Sequence, residues 1–168
     1  PGPSDPVRRL HGLAAVTPRA PRVLVLGSLP GAASLAARQY YAHPRNDFWP
    51  ILGPLTGCPA SAPYAERIRA LKAVGIALWD VLRQARRQGS LDAAIEMTGA
   101  VLNDFVTFHR EHPTLRLIVF NGALAERLYR QRVLEKLDAR SRAIARLPLP
   151  STSPAHAART RAAKADIW

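Results

Sequence analysis

Four short apolar runs constrain the fold of this chain most: RVLVLGSLPG from Arg22, GIALWDV from Gly75, LRLIVFNG from Leu115 and IARLPLPS from Ile144. The first is unbroken in valine and leucine up to Gly27, which is how a strand buried on both faces reads. The fourth is the weakest strand, because Pro148 and Pro150 bring no N–H to a ladder. Helical periodicities lie between the runs. PYAERIRALKAV sets Ala65, Ile68, Leu71 and Ala73 near one face, with Pro63 suited to a first turn. VLRQARRQ is expected to be a helix stopped by Gly89. VLNDFVTFHREH offers Asn103 as its N-cap and ends before Pro113. GALAERLYRQRVLEKL turns Leu124, Leu128 and Leu134 inward and its arginines outward. Strands alternating with helices predict βαβ units and an α/β domain with a mainly parallel sheet covered on both faces.

The 168 residues, 48% hydrophobic, suit one domain with one sizeable core. We place it at residues 21–168, after a proline-rich N-terminal arm over residues 1–20 pinned through Leu10 and Leu13. No apolar run approaches the roughly 20 residues of a membrane span. Nor does the first stretch read as a signal peptide. A single cysteine, Cys58, excludes an internal disulfide, an iron–sulfur cluster and a multi-thiolate zinc site. A cytoplasmic protein is expected. The net charge of +12 fits either a solvated basic surface or a polyanionic partner.

In such sheets, sites form outside the carboxyl ends of the strands. Those ends carry GSLPG, WD, FNG and LPSTSPAH, and GSLPG leads into the aromatic loop YYAHPRNDFWPILG. Asn46, Asp80, Asn121, Ser151, Ser153 and His156 would then surround one cleft. The glycines of GSLPG either make a tight turn or let main-chain N–H groups near Gly27 and Ser28 approach a ligand. Phe48 and Trp49 are assigned to packing. Tyr41, among polar neighbours, has a ring face suited to stacking a nucleobase. Asn46 and Asn121 either cap turns or read a base edge or hold water. In LPSTSPAH, Ser151, Thr152 and Ser153 either satisfy their own turn or face phosphate, and His156 is a phosphate ligand, a leaving-group stabiliser or simply exposed. Asp80 is assigned to anchoring the next helix or loop. The five histidines lack metal-ligand spacing, and there is neither a paired-carboxylate pattern nor a nucleophile elbow.

VLVLGSLPG with SLAARQYYAHPRNDFW resembles the first motif of the uracil-DNA glycosylase superfamily. The likeness is to its mismatch-specific branch and, closer still, its hypoxanthine (deoxyinosine) branch. GIALWDVLRQARRQGSLDAAI, IVFNGALAERLYR and LPSTSPAH are similar to later blocks of that branch, so nearly the whole chain is covered. The resemblance implies a three-layer α/β/α fold around a short, four-stranded parallel sheet. It implies a monofunctional enzyme that flips a deaminated base from double-stranded DNA and cleaves the glycosidic bond with water, without metal or cofactor; a monomer is the default. It implies Asn46 as the water-positioning residue, since Leu29 replaces the asparagine used in the mismatch-specific branch. It implies Tyr41 as the stacking aromatic, Asn121 as a base-recognition residue, and Gly27 and Ser28 beside the base. It implies Ser151, Thr152, Ser153 and His156 as the phosphate and intercalation loop, with Leu149 in place of the histidine of the classical uracil enzymes. Two other readings stay open: a uracil or mismatch-specific glycosylase, and a non-catalytic nucleic-acid binder.

Overall fold

The computed structural model describes residues 8–154 and 159–168, so the expectations for His156 fall outside the described residues. The four apolar runs become β2 (Val23–Gly27), β3 (Ile76–Asp80), β6 (Leu117–Asn121) and β7 (Ala145–Leu149). They pair in parallel in the order β3-β2-β6-β7, the four-stranded α/β core that the motifs imply. Successive strand residues point to opposite faces, and both faces are apolar. Leu24, Leu26, Ile118 and Phe120 pack with Phe105 and Phe108 of α4 (Phe105–Glu111) and Leu124 and Leu128 of α5 (Ala123–Leu128). Val25, Leu78 and Val119 pack on the other face with Phe48, Trp49, Ile51 and Leu52 of α2 (Phe48–Thr56) and Leu71 of α3 (Tyr64–Ala73). β7 lies at the edge of the sheet, where Pro148 is tolerated.

VLRQARRQ is not a helix. Its residues form β4 (Leu82–Arg87), the middle of an antiparallel sheet between β1 (Arg9–His11) and β5 (Ile95–Leu102). Leu82 and Ala85 are buried while Arg83 and Arg86 are exposed, and Gly89 turns the chain at φ +71°. Asn103 is not a helix cap either. Asp104 caps α4 by accepting from the Thr107 N–H at 3.0 Å, and the Asn103 amide donates to the Asp80 carbonyl at 2.7 Å. α5 is shorter than its periodicity implies and continues as a π turn over Tyr129–Val133. Of residues 8–20, Leu10 pairs with Ala85, Leu13 packs on the α2 side of the sheet, and Val16 bridges to Leu78. α1 (Ala32–Ala37), α6 (Ala139–Arg142) and α7 (Arg161–Ile167) complete the fold. Among the described residues, no helix is long and apolar enough to cross a membrane.

The chain leaves β2 toward the face covered by α2 and α3, and leaves β6 toward the face covered by α4 and α5. β2 and β6 are neighbours, so their outgoing connections part company between Gly27 and Asn121. A crevice opens at such a switch point in an α/β sheet.

Candidate active site

On the β2 side, the GSLPG turn is held from behind. Ser28 donates its hydroxyl to the Asp92 carboxylate at 2.5 Å. The buried Arg87 guanidinium donates to the carbonyls of Pro30 at 2.5 Å, Gly89 at 3.0 Å and Leu29 at 3.5 Å. Burial lowers the pKa of that guanidinium, and Asp92 and Asp80 oppose the shift. The Ser28 hydroxyl is therefore committed to the scaffold.

The aromatic loop is anchored through Tyr40. Its hydroxyl donates to the Ala14 carbonyl at 2.8 Å, and its carbonyl accepts from the Trp49 indole N–H at 2.9 Å. Phe48 and Trp49 are core, as assigned. Tyr41 follows in the left-handed region at φ +55°, a conformation that costs a non-glycine residue about 1–2 kcal/mol. That backbone lays the half-buried Tyr41 ring on Phe48, with centroids 4.0 Å apart and planes 27° apart. Asn46 meets the same Phe48 from the other end: its side-chain carbonyl accepts the Phe48 N–H at 2.9 Å.

Beneath this loop lies a group that the sequence reading undervalued. Asp80, at the end of β3, is 4% exposed, and its Oδ2 has no hydrogen-bond partner. It anchors neither a helix nor a loop through its carboxyl. Its Oδ1 lies 2.5 Å from where a Cβ on Gly27 would sit, and the Tyr41 hydroxyl lies 3.7 Å from that point. Burial pushes the Asp80 pKa up to about 7; the Asp92 carboxylate adds to this and Arg87 opposes it. Burial also raises the Tyr41 phenol, Asp80 raises it further, and the Asn121 amide works the other way. Asn121 stops short of hydrogen-bonding geometry, however, so the Tyr41 hydroxyl is a second buried polar group without a partner.

On the β6 side, Asn121 grips the loop after β7. Its amide donates to the Thr152 hydroxyl and its carbonyl accepts the Thr152 N–H, both at 2.9 Å. The Thr152 carbonyl in turn accepts the Asp47 N–H at 2.9 Å. Ser153 donates its N–H to the Ser151 hydroxyl at 3.1 Å. Gly122, at φ +103°, passes so close to Ser151 that a Cβ there would sit 3.3 Å from the serine Cβ. α7 locks this side: Asp47 pairs with Arg161 at 2.7 Å and with the buried Lys164 at 3.4 Å, and Lys164 also donates to the Ser153 carbonyl at 3.4 Å.

The fold thus links Tyr41 and Asn46 through Phe48, and ties Asn121 and Thr152 to the residue after Asn46. Thr152 is fully buried, Ser151 and Ser153 are half-buried, and Leu29 and Leu149 are core. Asp80, Arg87, Asp92 and the Asp47–Lys164 pair are the site residues that sequence reasoning missed or undervalued. Only the strand-end position of Asp80 signalled any of them. Among the described residues, no group of three or more His, Cys, Asp or Glu side chains could hold a metal ion.

A parallel α/β sheet that gathers Tyr41, Asn46, Asp80 and Asn121 at the carboxyl ends of its strands, about the switch point, defines the class. Residues 14–168 match the family model of the uracil DNA glycosylase superfamily, and the chain belongs to that superfamily. Its curated relatives narrow the comparison. A hypoxanthine DNA glycosylase of Methanosarcina barkeri (strain Fusaro / DSM 804) is 43% identical over 101 residues, 60% of this chain and 63% of that protein. A hypoxanthine DNA glycosylase of Methanosarcina acetivorans is 39% identical over 116 residues, 68% of this chain and 72% of the relative. The matches therefore span about two thirds of each relative's length. The solution NMR structure of a candidate uracil DNA glycosylase from Methanosarcina acetivorans superposes with a TM-score of 0.77 at 32% identity, covering 95% of both chains.

Proposed function

We propose that this protein is a monofunctional DNA glycosylase that extrudes a deaminated base from duplex DNA and hydrolyses its N-glycosidic bond. Hypoxanthine is the first substrate and uracil the second. The observation that carries this reading is the strained Tyr41, held against Phe48 beside Asn46 at the switch point. Strain at a rim position marks a functional site when the surrounding structure enforces it, and here Phe48, Trp49 and Tyr40 do so.

The extruded base stacks on Tyr41, whose other side is backed by Phe48. Asn46 orients the water. One lone pair of its carbonyl is spent on the Phe48 N–H, which fixes the amide plane and leaves the second lone pair and the NH₂ group for the nucleophile. An amide is no base, so the rate comes from positioning and from the field acting on an oxocarbenium-like sugar. The bond from the sugar C1′ to the base nitrogen breaks, water oxygen bonds to C1′ and gives up one proton to solvent, and the departing base keeps the bonding electrons and takes one up. Extrusion costs a few kcal/mol, and less at a mispair, which favours deaminated sites. The protein works as a monomer, without metal, in the cytosol. Its charge of +12 and the exposed Arg38, Arg45 and Arg159 supply the phosphate attraction.

The test is a labelled duplex panel of hypoxanthine, xanthine, uracil and thymine mispairs, treated with alkali after incubation. Strand cleavage at hypoxanthine with wild-type protein, abolished in Asn46→Ala, is the expected result. Full activity of Asn46→Ala would remove the water-positioning role. The buried Leu29 and Leu149, apolar where the resemblance puts the asparagine of the mismatch-specific branch and the histidine of the classical uracil enzymes, favour one second reading, a binder without turnover. That reading predicts retarded mobility of the lesion duplex and no cleavage.

A further inference from the structure

We propose that Asp80 reads the extruded base as a neutral acid, donating a hydrogen bond to the carbonyl oxygen that deamination installs in place of an amine. This rests on the reading of the protein as a glycosylase for deaminated bases. Deamination turns the exocyclic NH₂ of adenine or cytosine, a donor, into the C=O of hypoxanthine or uracil, an acceptor. A pocket that favours the product needs a donor at that point.

Asp80 meets the geometric requirement. It stands at the carboxyl end of β3, against Gly27 of the GSLPG turn, with Oδ2 buried and without a partner. A buried, unpaired polar oxygen costs stability and calls for an explanation in a ligand or a role. Gly27 carries no side chain, and only this lets the carboxyl lie against the turn. The charged and titratable groups around it are Asp92 on the turn before β5, Arg87 on β4, and Tyr40 and Tyr41 on the aromatic loop. Arg87 acts on Asp80 only through its charge: its hydrogen bonds go to the carbonyls of Leu29, Pro30 and Gly89, and Ser28 is spent on Asp92. Nothing on the scaffold pairs with Oδ2, and the carboxyl holds its proton into the neutral range, as a buried catalytic carboxyl must if it is to donate.

The experiment compares wild type, Asp80→Asn and Asp80→Ala in single-turnover excision from hypoxanthine and uracil duplexes between about pH 5.5 and about pH 9. Wild-type excision should fall by about tenfold or more above about pH 7, as the donor is lost. Asp80→Asn keeps an N–H donor at every pH, so its rate should stay level, within about threefold. Asp80→Ala should be slower by about tenfold at low pH, the worth of one hydrogen bond. Affinity for a product duplex with an abasic site, which presents no base, should hold in both variants and separates base reading from loss of fold. Superimposable pH profiles for wild type and Asp80→Asn, or an Asp80→Ala protein as fast as wild type, would overturn the inference. Wild type inactive on every lesion would instead sink the functional reading beneath it.

Discussion

Gly27→Ala tests the packing on which the base pocket depends. The backbone of Gly27 does not lie at positive φ, so alanine brings no torsional strain and gains about 0.4–1 kcal/mol by restricting the unfolded chain. Against this, the new methyl would lie 2.5 Å from the Asp80 Oδ1, where ordinary contact is 3.4–4 Å. The carboxyl is short, buried and at the end of a paired strand, so it cannot swing into solvent. Overpacking of this kind costs about 1–3 kcal/mol. At the middle of that range, about 2 kcal/mol, the net loss is about 1–1.6 kcal/mol, a fall in Tm of about 2–6 °C for a domain of this size. Asp80→Ala removes the clashing oxygen, so Gly27→Ala/Asp80→Ala should recover most of the loss, with a coupling of at least about 1 kcal/mol in a double-mutant cycle followed by urea unfolding. A Gly27→Ala protein as stable as wild type, or a cycle with no coupling, would show that Asp80 is not lodged against the turn.

Other consequences follow from the same geometry. Asp80 binds a proton in the native state at pH values where the unfolded chain has released it, from 3.8 up to about 7, so stability should fall as pH rises through that window. The full effect is on the order of 4 kcal/mol; Asp80→Asn should flatten the decline in urea unfolding from about pH 4 to about pH 8, and an unchanged slope would count against the buried acid. Asn121→Ala removes both bonds to Thr152 and leaves a buried N–H unpaired, at a cost of about 1–3 kcal/mol, with faster amide exchange at Thr152 as the local readout. Asn46→Asp keeps the acceptor for the Phe48 N–H and should hold wild-type Tm, whereas Asn46→Ala should lose about 1 kcal/mol with that hydrogen bond. Lys164→Met strips a buried cation from Asp47 while Arg161 remains, so the loss should be about 1–3 kcal/mol, less than for a sole partner.

The parallel sheet was legible because its strands are buried on both faces: no helix explains VLVLG closing on glycine, or LIVFN followed by a helical period. The hairpin was not legible. LRQARR carries four polar residues in six, and its i, i+3 spacing puts Leu82 and Ala85 on one helix face but on opposite faces of a regular strand; both are buried in β4 because its ladder with β5 shifts register between them. Contact with Leu10, far away in the chain, decides for the strand, because β1 and β5 supply the ladder on either side. Misreading that segment also hid Arg87 and Asp92, whose work is to hold the GSLPG turn from the second sheet.

Residue type shows what a side chain can donate or accept, and the fold decides where that capacity goes. Ser28 and Thr152 look like ligand-facing hydroxyls in the sequence, yet one is spent on Asp92 and the other on Asn121. Asp80 looks like an anchor, and it is left without a partner. On the proposed function the inversion follows from the switch point: turns after β2 and β7 that flank a base must be rigid, and the polar groups next to them are consumed in fixing them. The strand between Gly27 and the hairpin contributes a carboxyl that no turn requires. On the same proposal phosphate contact falls to the exposed arginines, whose attraction is screened by salt, while base contact falls to buried groups that salt hardly reaches. Raising ionic strength should therefore weaken lesion-duplex binding steeply while leaving the ratio of hypoxanthine to uracil excision nearly constant. A ratio that moved with salt would place base reading on the rim arginines instead.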